Sequence, residues 1–115
     1  RIGINFMKKI VEELQQHKGT AQAIIDKIEQ GKDYRINIRT YLPILNQLIS
    51  QIFEVIQQPE NSDLQININF IIQVLKDIVY GIEQEDTVFL LDVLKYGLLQ
   101  IYDYMIEMLT EVAHE

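Results

Sequence analysis

Asp103, Glu107 and Glu111 recur every four residues, the spacing that stacks side chains on one face of a helix. Such a carboxylate ladder offers the oxygen ligands that Mg²⁺ takes. A nucleotide-pyrophosphatase style of site needs acids on two facing helices, however; the second segment supplies only Glu54, and the third only Asp77 near its middle. The ladder is therefore expected to be a solvated acidic stripe. Glu111 and His114 form a Glu-x-x-His pair, which points two ligands the same way from one helix. A carboxylate-bridged dimetal bundle needs that pair on two helices, plus a Glu from each of two others. The second histidine, His17, follows Glu13 by four residues and not three. No metal or other cofactor is expected.

His17 is also the one histidine placed well inside the chain. His17-Lys18-Gly19-Thr20-Ala21 is similar to the His-x-x-Lys-Gly-Ser-Ala core of histidine phosphotransfer domains, which are four-helix bundles. The lysine here follows the histidine at once, whereas in that family it comes three residues later. The resemblance covers about five residues, and what it implies is a phosphoacceptor role for His17 on an exposed helix face. Read from the residues alone, His17 is a solvated histidine beside a glycine. Nucleophilic chemistry has little else to draw on: there is no cysteine, and Ser50 and Ser62 are the only serines. Glycine-rich phosphate loops are absent. A catalytic function through His17 or the Asp103/Glu107/Glu111 ladder is the alternative to a non-enzymatic role.

The totals bound the class. A chain of 115 residues fits a single domain spanning residues 1–115. The apolar share of 48% is enough to fill a core without disulfides. The lack of cysteine agrees with a reducing, cytoplasmic setting. Apolar runs stop after a few residues, as at 88–91, far from the ~20 that a membrane span needs. Neither a membrane span nor a signal peptide is expected, and because the chain opens with Arg1, a start segment is expected to precede it. The net charge is −7 and uneven. Residues 1–39 hold eight basic and five acidic side chains, whereas residues 40–115 set Lys76 and Lys95 against twelve acids. An acidic C-terminal two-thirds does not suit nucleic acid, whose phosphates demand a basic face. Twenty isoleucines and twelve glutamines are the drift expected of an AT-rich bacterial genome.

Apolar residues return every three or four positions in four stretches, which predicts an all-α, antiparallel up-down-up-down four-helix bundle. The first helix is expected over residues 5–30, with Met7, Ile10, Val11, Leu14, Ala21, Ile24, Ile25 and Ile28 on its core face. His17 and Lys18 interrupt that stripe, but it resumes in phase, so one helix is expected through Gly19. Gly31 supplies the stop. The second helix is expected over residues 33–58, where Pro43 requires either a kink near Arg39 or a late start with Thr40 as N-cap. The third is expected from Ser62 or Asp63 as N-cap to Ile82, although residues 64–70 also alternate at the strand period. The fourth is expected over residues 87–113 with Asp86 as N-cap, and with Leu91, Leu94, Leu98, Ile101, Met105, Met108 and Val112 inward. Isoleucine is a mediocre helix former, so these helices rely on tertiary packing.

The fourth helix is too apolar for a bundle helix. Seventeen of the 25 residues from 88 to 112 are apolar or aromatic. They span an arc of roughly 240° where little more than ~100° is needed. Phe89, Val93 and Tyr96 are expected on the polar-stripe side, opposite the core, and stack at spacings of four and three. Ile44 and Phe53 lie off the core line of the second helix. Either a neighbouring helix or Ile2, Ile4 and Phe6 cover the excess, or it is a contact patch. The expectation is a non-enzymatic interaction module, an adaptor or small chaperone-like protein. Its partner is a second copy or another helical protein, bound through helices 2 and 4, and a homo-oligomer is expected, with no nucleic acid and no membrane as partner.

Overall fold

A computed structural model describes residues 3–58 and 66–113. The chain is all-α, with α1 (Ile4–Glu29), α2 (Arg35–Ile56), α3 (Ile68–Glu83), α4 (Thr87–Val93), a π-helical turn (Leu94–Leu98) and α5 (Leu99–Ala113). α4, the π turn and α5 run on without a break as one fourth helix. No strand occurs among the described residues. The molecule measures 44 × 23 × 20 Å. At 1.5 Å per residue the 26 residues of α1 reach about 39 Å, so this helix takes up nearly the whole long axis.

Helix ends are set by local chemistry. α1 closes with Gly31 at φ 71°, while the Lys32 and Gly31 amides donate to the carbonyls of Lys27 and Ile28. This is the paired-bond stop that a left-handed residue makes possible. α3 ends by the same device, with the Asp86 and Glu85 amides donating to the Gly81 and Ile82 carbonyls. There the left-handed residue is Glu85, at φ 50°. Asp86 then begins the next helix, its carboxylate accepting from the Phe89 amide at 3.0 Å.

Three expectations need correction. α2 does not start late at Thr40; it begins at Arg35 and carries Pro43 inside it. Its apolar stripe is buried from Ile38 to Val55, and that burial outweighs the one hydrogen bond that Pro43 lacks. Ser62, Asp63 and Leu64 lie outside the described residues, but Ile66 and Asn67 are not helical, so α3 does not begin at Ser62 or Asp63. It begins at Ile68 because the Asn67 side chain caps the Phe70 amide at 3.0 Å. The inward row of the fourth helix is Leu90, Leu94, Leu98, Ile101, Tyr102, Met105 and Leu109, while Leu91 and Met108 are only half-buried.

The π turn explains that last shift. The Leu99 amide donates to the Leu94 carbonyl, five residues back, which inserts one residue into the helix. On a regular helix, Leu90 and Tyr102 would point about 120° apart; removing one residue from the count cuts this to about 20°. Both are buried on one line.

The fourth helix is the hub. α1 packs along α5 in the opposite sense, with Lys18 Nζ 2.6 Å from Asp103 and Lys95 Nζ 3.2 Å from Glu29. α3 also lies against it in the opposite sense: Gly81 meets Leu90, and Gly97 meets Val74. A Cβ on either glycine would come 3.1 Å from the facing side chain, so both permit a close approach of the two backbones. The hydroxyls of Tyr34 and Thr87, 2.9 Å apart, join the start of α2 to the start of α4. Much of the wide apolar arc is thus covered by neighbouring helices.

Candidate functional site

His17 occupies a core position. Met7, Ile10, Leu14, His17, Ala21, Ile24 and Ile28 step by three and four without a gap, and every member but His17 is buried. His17 is half-buried and not the solvated residue expected from the sequence. Its Nδ1 lies 2.7 Å from the Tyr41 hydroxyl on α2. The Tyr41 hydroxyl in turn lies 2.5 Å from that of Tyr102 on α5. Tyr41 Oη also approaches the His17 carbonyl at 3.4 Å. The rings pack as well, the imidazole tilted on Tyr41 at 5.4 Å and edge-on to Tyr102 at 6.2 Å between centroids.

Three helices thus each place one polar side chain in a single hydrogen-bonded chain. Tyr102 is 0% exposed and Tyr41 is 4% exposed, so the chain runs inward from a half-buried end to a closed one. Burial pushes the Tyr41 phenol up to about 12, partly offset by its bond to Tyr102. Burial raises Tyr102 further, reinforced by Tyr41. Both phenols are therefore neutral at physiological pH. Burial lowers the His17 pKa below the ordinary imidazole range, against the opposing pull of the Glu13 carboxylate. With all three groups neutral, both short contacts are satisfied when Tyr102 O–H donates to Tyr41 and Tyr41 O–H donates to His17 Nδ1. The outer end opens to a small cleft of about 200 Å³ lined by Glu13, His17, Ile44, Gln47, Leu48 and Gln51. Groups of this kind can hold or move a proton along the chain; neither phenol is a base at neutral pH.

The other expected residues are distributed as follows. Asp103 is exposed and paired with Lys18, and Glu107 and Glu111 are exposed. His114 lies outside the described residues. Among the described residues no three His, Cys, Asp or Glu side chains gather closely enough to hold a metal ion. Phe89 is half-buried, edge-on to Tyr80 of α3 at 5.6 Å. Val93 is half-buried against the core, whereas Tyr96 is 62% exposed beside Lys95. Ile44 is exposed on the α1 side of α2. Phe53 is nine residues on, about 180° around the same helix, and packs against the core.

Sequence reasoning placed Tyr41 inward but missed Tyr102, and it read His17 as an interruption. The unbroken three-four stepping through position 17 was the available signal for His17. Tyr102 had a similar one, since Leu98, Tyr102, Met105 and Leu109 step by four, three and four; only its alignment with Leu90 depends on the π turn.

A second concavity of about 780 Å³ lies between α3 and α5, with Phe70, Ile71, Ile101 and Met105 as its apolar lining and Asn67, Gln100 and Tyr104 at its edge. Its size suits a small apolar ligand, but Asn67 already caps α3. No helix among the described residues is long and apolar enough to cross a membrane. No protein-family model, curated protein or solved structure matches this chain.

Proposed function

We propose that the protein is a non-enzymatic, cytoplasmic interaction module that associates with a second copy of itself or with a helical partner protein. The observation that carries this reading is a row of large exposed side chains on the fourth helix: Val88 at 73%, Tyr96 at 62% and Tyr104 at 51% exposure. Over sixteen residues a regular helix would turn Val88 and Tyr104 about 160° apart; the inserted residue of the π turn reduces this to about 60°. The three then share an outer flank about 24 Å long, by the rise per residue. Ile36 and Ile44 supply a second set of exposed apolar side chains on α2. Tyrosine suits such a role, since it buries a large ring and keeps a hydroxyl for the rim.

Sedimentation of the chain across a hundredfold concentration range, with and without Val88→Asp and Tyr96→Asp together, tests the reading. The expected result is a mass above the monomer for the parent chain, and a monomer of unchanged helical content for the variant. A strict monomer that also recovers no partner from a cell extract would defeat the proposal. An unfolded double variant would instead mean that these side chains belong to the core.

A further inference from the structure

We propose that the His17–Tyr41–Tyr102 chain is a proton-sensitive latch that fastens α2 to α1 and the fourth helix when His17 is neutral and loosens when it is protonated. The reason is the direction of the hydrogen bonds. In the neutral chain each hydroxyl donates outward, Tyr102 to Tyr41 and Tyr41 to His17 Nδ1, and no proton lacks an acceptor. A proton on Nδ1 turns that nitrogen from acceptor to donor. Tyr41 must then redirect its own proton. One route sends it to Tyr102, whose hydroxyl must then donate elsewhere from a position with no exposure to water. The other sends it to the His17 carbonyl at 3.4 Å, a longer contact to an oxygen inside a helix. Either way a short bond is replaced by a poorer one or a buried hydroxyl is stranded.

The charges around the imidazole do not relieve this. On α1, Glu13 favours the protonated form, but Lys18 on the next residue is positive and bound to Asp103. From α2 the facing groups are Tyr41 and the neutral amides Gln47 and Gln51. From α5 they are Tyr102 and the already paired Asp103. The His17 pKa is lowered on balance. The sign follows: the unfolded chain takes up a proton first as pH falls below about 6.5, so the latch contributes fully above that value and is lost on acidification through the folded value.

Side-chain NMR of the full chain labelled with ¹⁵N-histidine is the test, with His17→Gln used to tell His17 from His114. The expected spectrum at pH 7.5 has His17 protonated on Nε2, with Nδ1 as the acceptor. Its titration midpoint should lie below that of a free imidazole. Tyr41→Phe removes the hydroxyl whose proton must be redirected by either route, so it should move the midpoint upward. Hydrogen exchange of the α2 amides, corrected for intrinsic rates, should speed up between pH 7.5 and 5.5 in the parent chain and not in His17→Gln. A proton on Nδ1 at pH 7.5, a midpoint at or above the free value, or a midpoint unmoved by Tyr41→Phe would each overturn the proposal. The last result would leave burial alone as the cause of the shift.

Discussion

Two seams meet on the fourth helix, and they are built on opposite principles. Toward α3 the seam is apolar and close, with Gly81 and Gly97 letting the backbones approach. Toward α1 and α2 it includes a chain of three polar groups, His17, Tyr41 and Tyr102, set among buried aliphatic residues. Apolar packing tolerates many near-equivalent arrangements, whereas a buried polar chain is satisfied only in one. The glycine seam therefore supplies fit, and the polar seam supplies a requirement for one relative placement of three helices. The comparison predicts that the two seams fail differently: the first to added volume, the second to lost partners and to acid.

The largest effect is expected from Gly81→Leu. Even a Cβ there would come 3.1 Å from Leu90 Cβ and 3.4 Å from Leu90 Cα, which is backbone and cannot rotate away. Overpacking of this kind should cost about 3 kcal/mol, read as a lower denaturant midpoint in chemical unfolding. Gly97→Ala should cost much less, because it meets the methyl groups of Val74 and gains helix propensity worth up to about 1 kcal/mol. A Gly81→Leu variant as stable as the parent chain would show that close approach is not what matters in this seam.

Next comes Tyr41→Phe, which leaves the fully buried Tyr102 hydroxyl without its partner and should cost about 2 kcal/mol. Adding Tyr102→Phe should restore part of that loss, since removing both partners leaves no stranded group. Strictly additive losses would mean that the hydroxyls do not act together. The loss of stability on acidification from pH 7.5 to 5.5 should be smaller in His17→Gln than in the parent chain, because a folded imidazole with a lowered pKa opposes protonation.

Smaller still is the turn between α3 and α4. Gly31 and Glu85 hold equivalent left-handed positions at two helix ends, but a side chain is strained there. Glu85→Gly should raise stability by about 0.5–1 kcal/mol in thermal unfolding, less the loss of the long Arg35–Glu85 contact at 3.8 Å. Lys18→Gln should change stability by less than about 0.5 kcal/mol, because its pair with Asp103 is largely exposed. A larger loss would give that ion pair a part in holding His17 in place.

How much of this was legible beforehand varies by element. The stripe of α1 was readable from Met7 to Ile28 because the three-four spacing is the geometry of the helix itself. So were Gly31 as a stop and Asp86 as a cap, since each depends on the chemistry of one residue and its immediate neighbours. The inward row of the fourth helix was read through Leu91 and Met108, where Leu90 and Leu109, on opposite sides of the π turn, are buried. A pattern count assumes a constant turn, and one inserted residue rotates everything after it.

The amino-acid order by itself determined that this chain makes helices, where most of them stop, and that their inner faces are oily, because those properties follow from side chains a few residues apart. Tertiary structure alone decided that Tyr102 meets Tyr41 across 61 positions and that Val88, Tyr96 and Tyr104 share an outer flank. Those outcomes depend on how far one helix has rotated against another. The π turn sets that rotation, and it forms through the i→i+5 bond from Leu99 to Leu94, not from any local pattern that announces it.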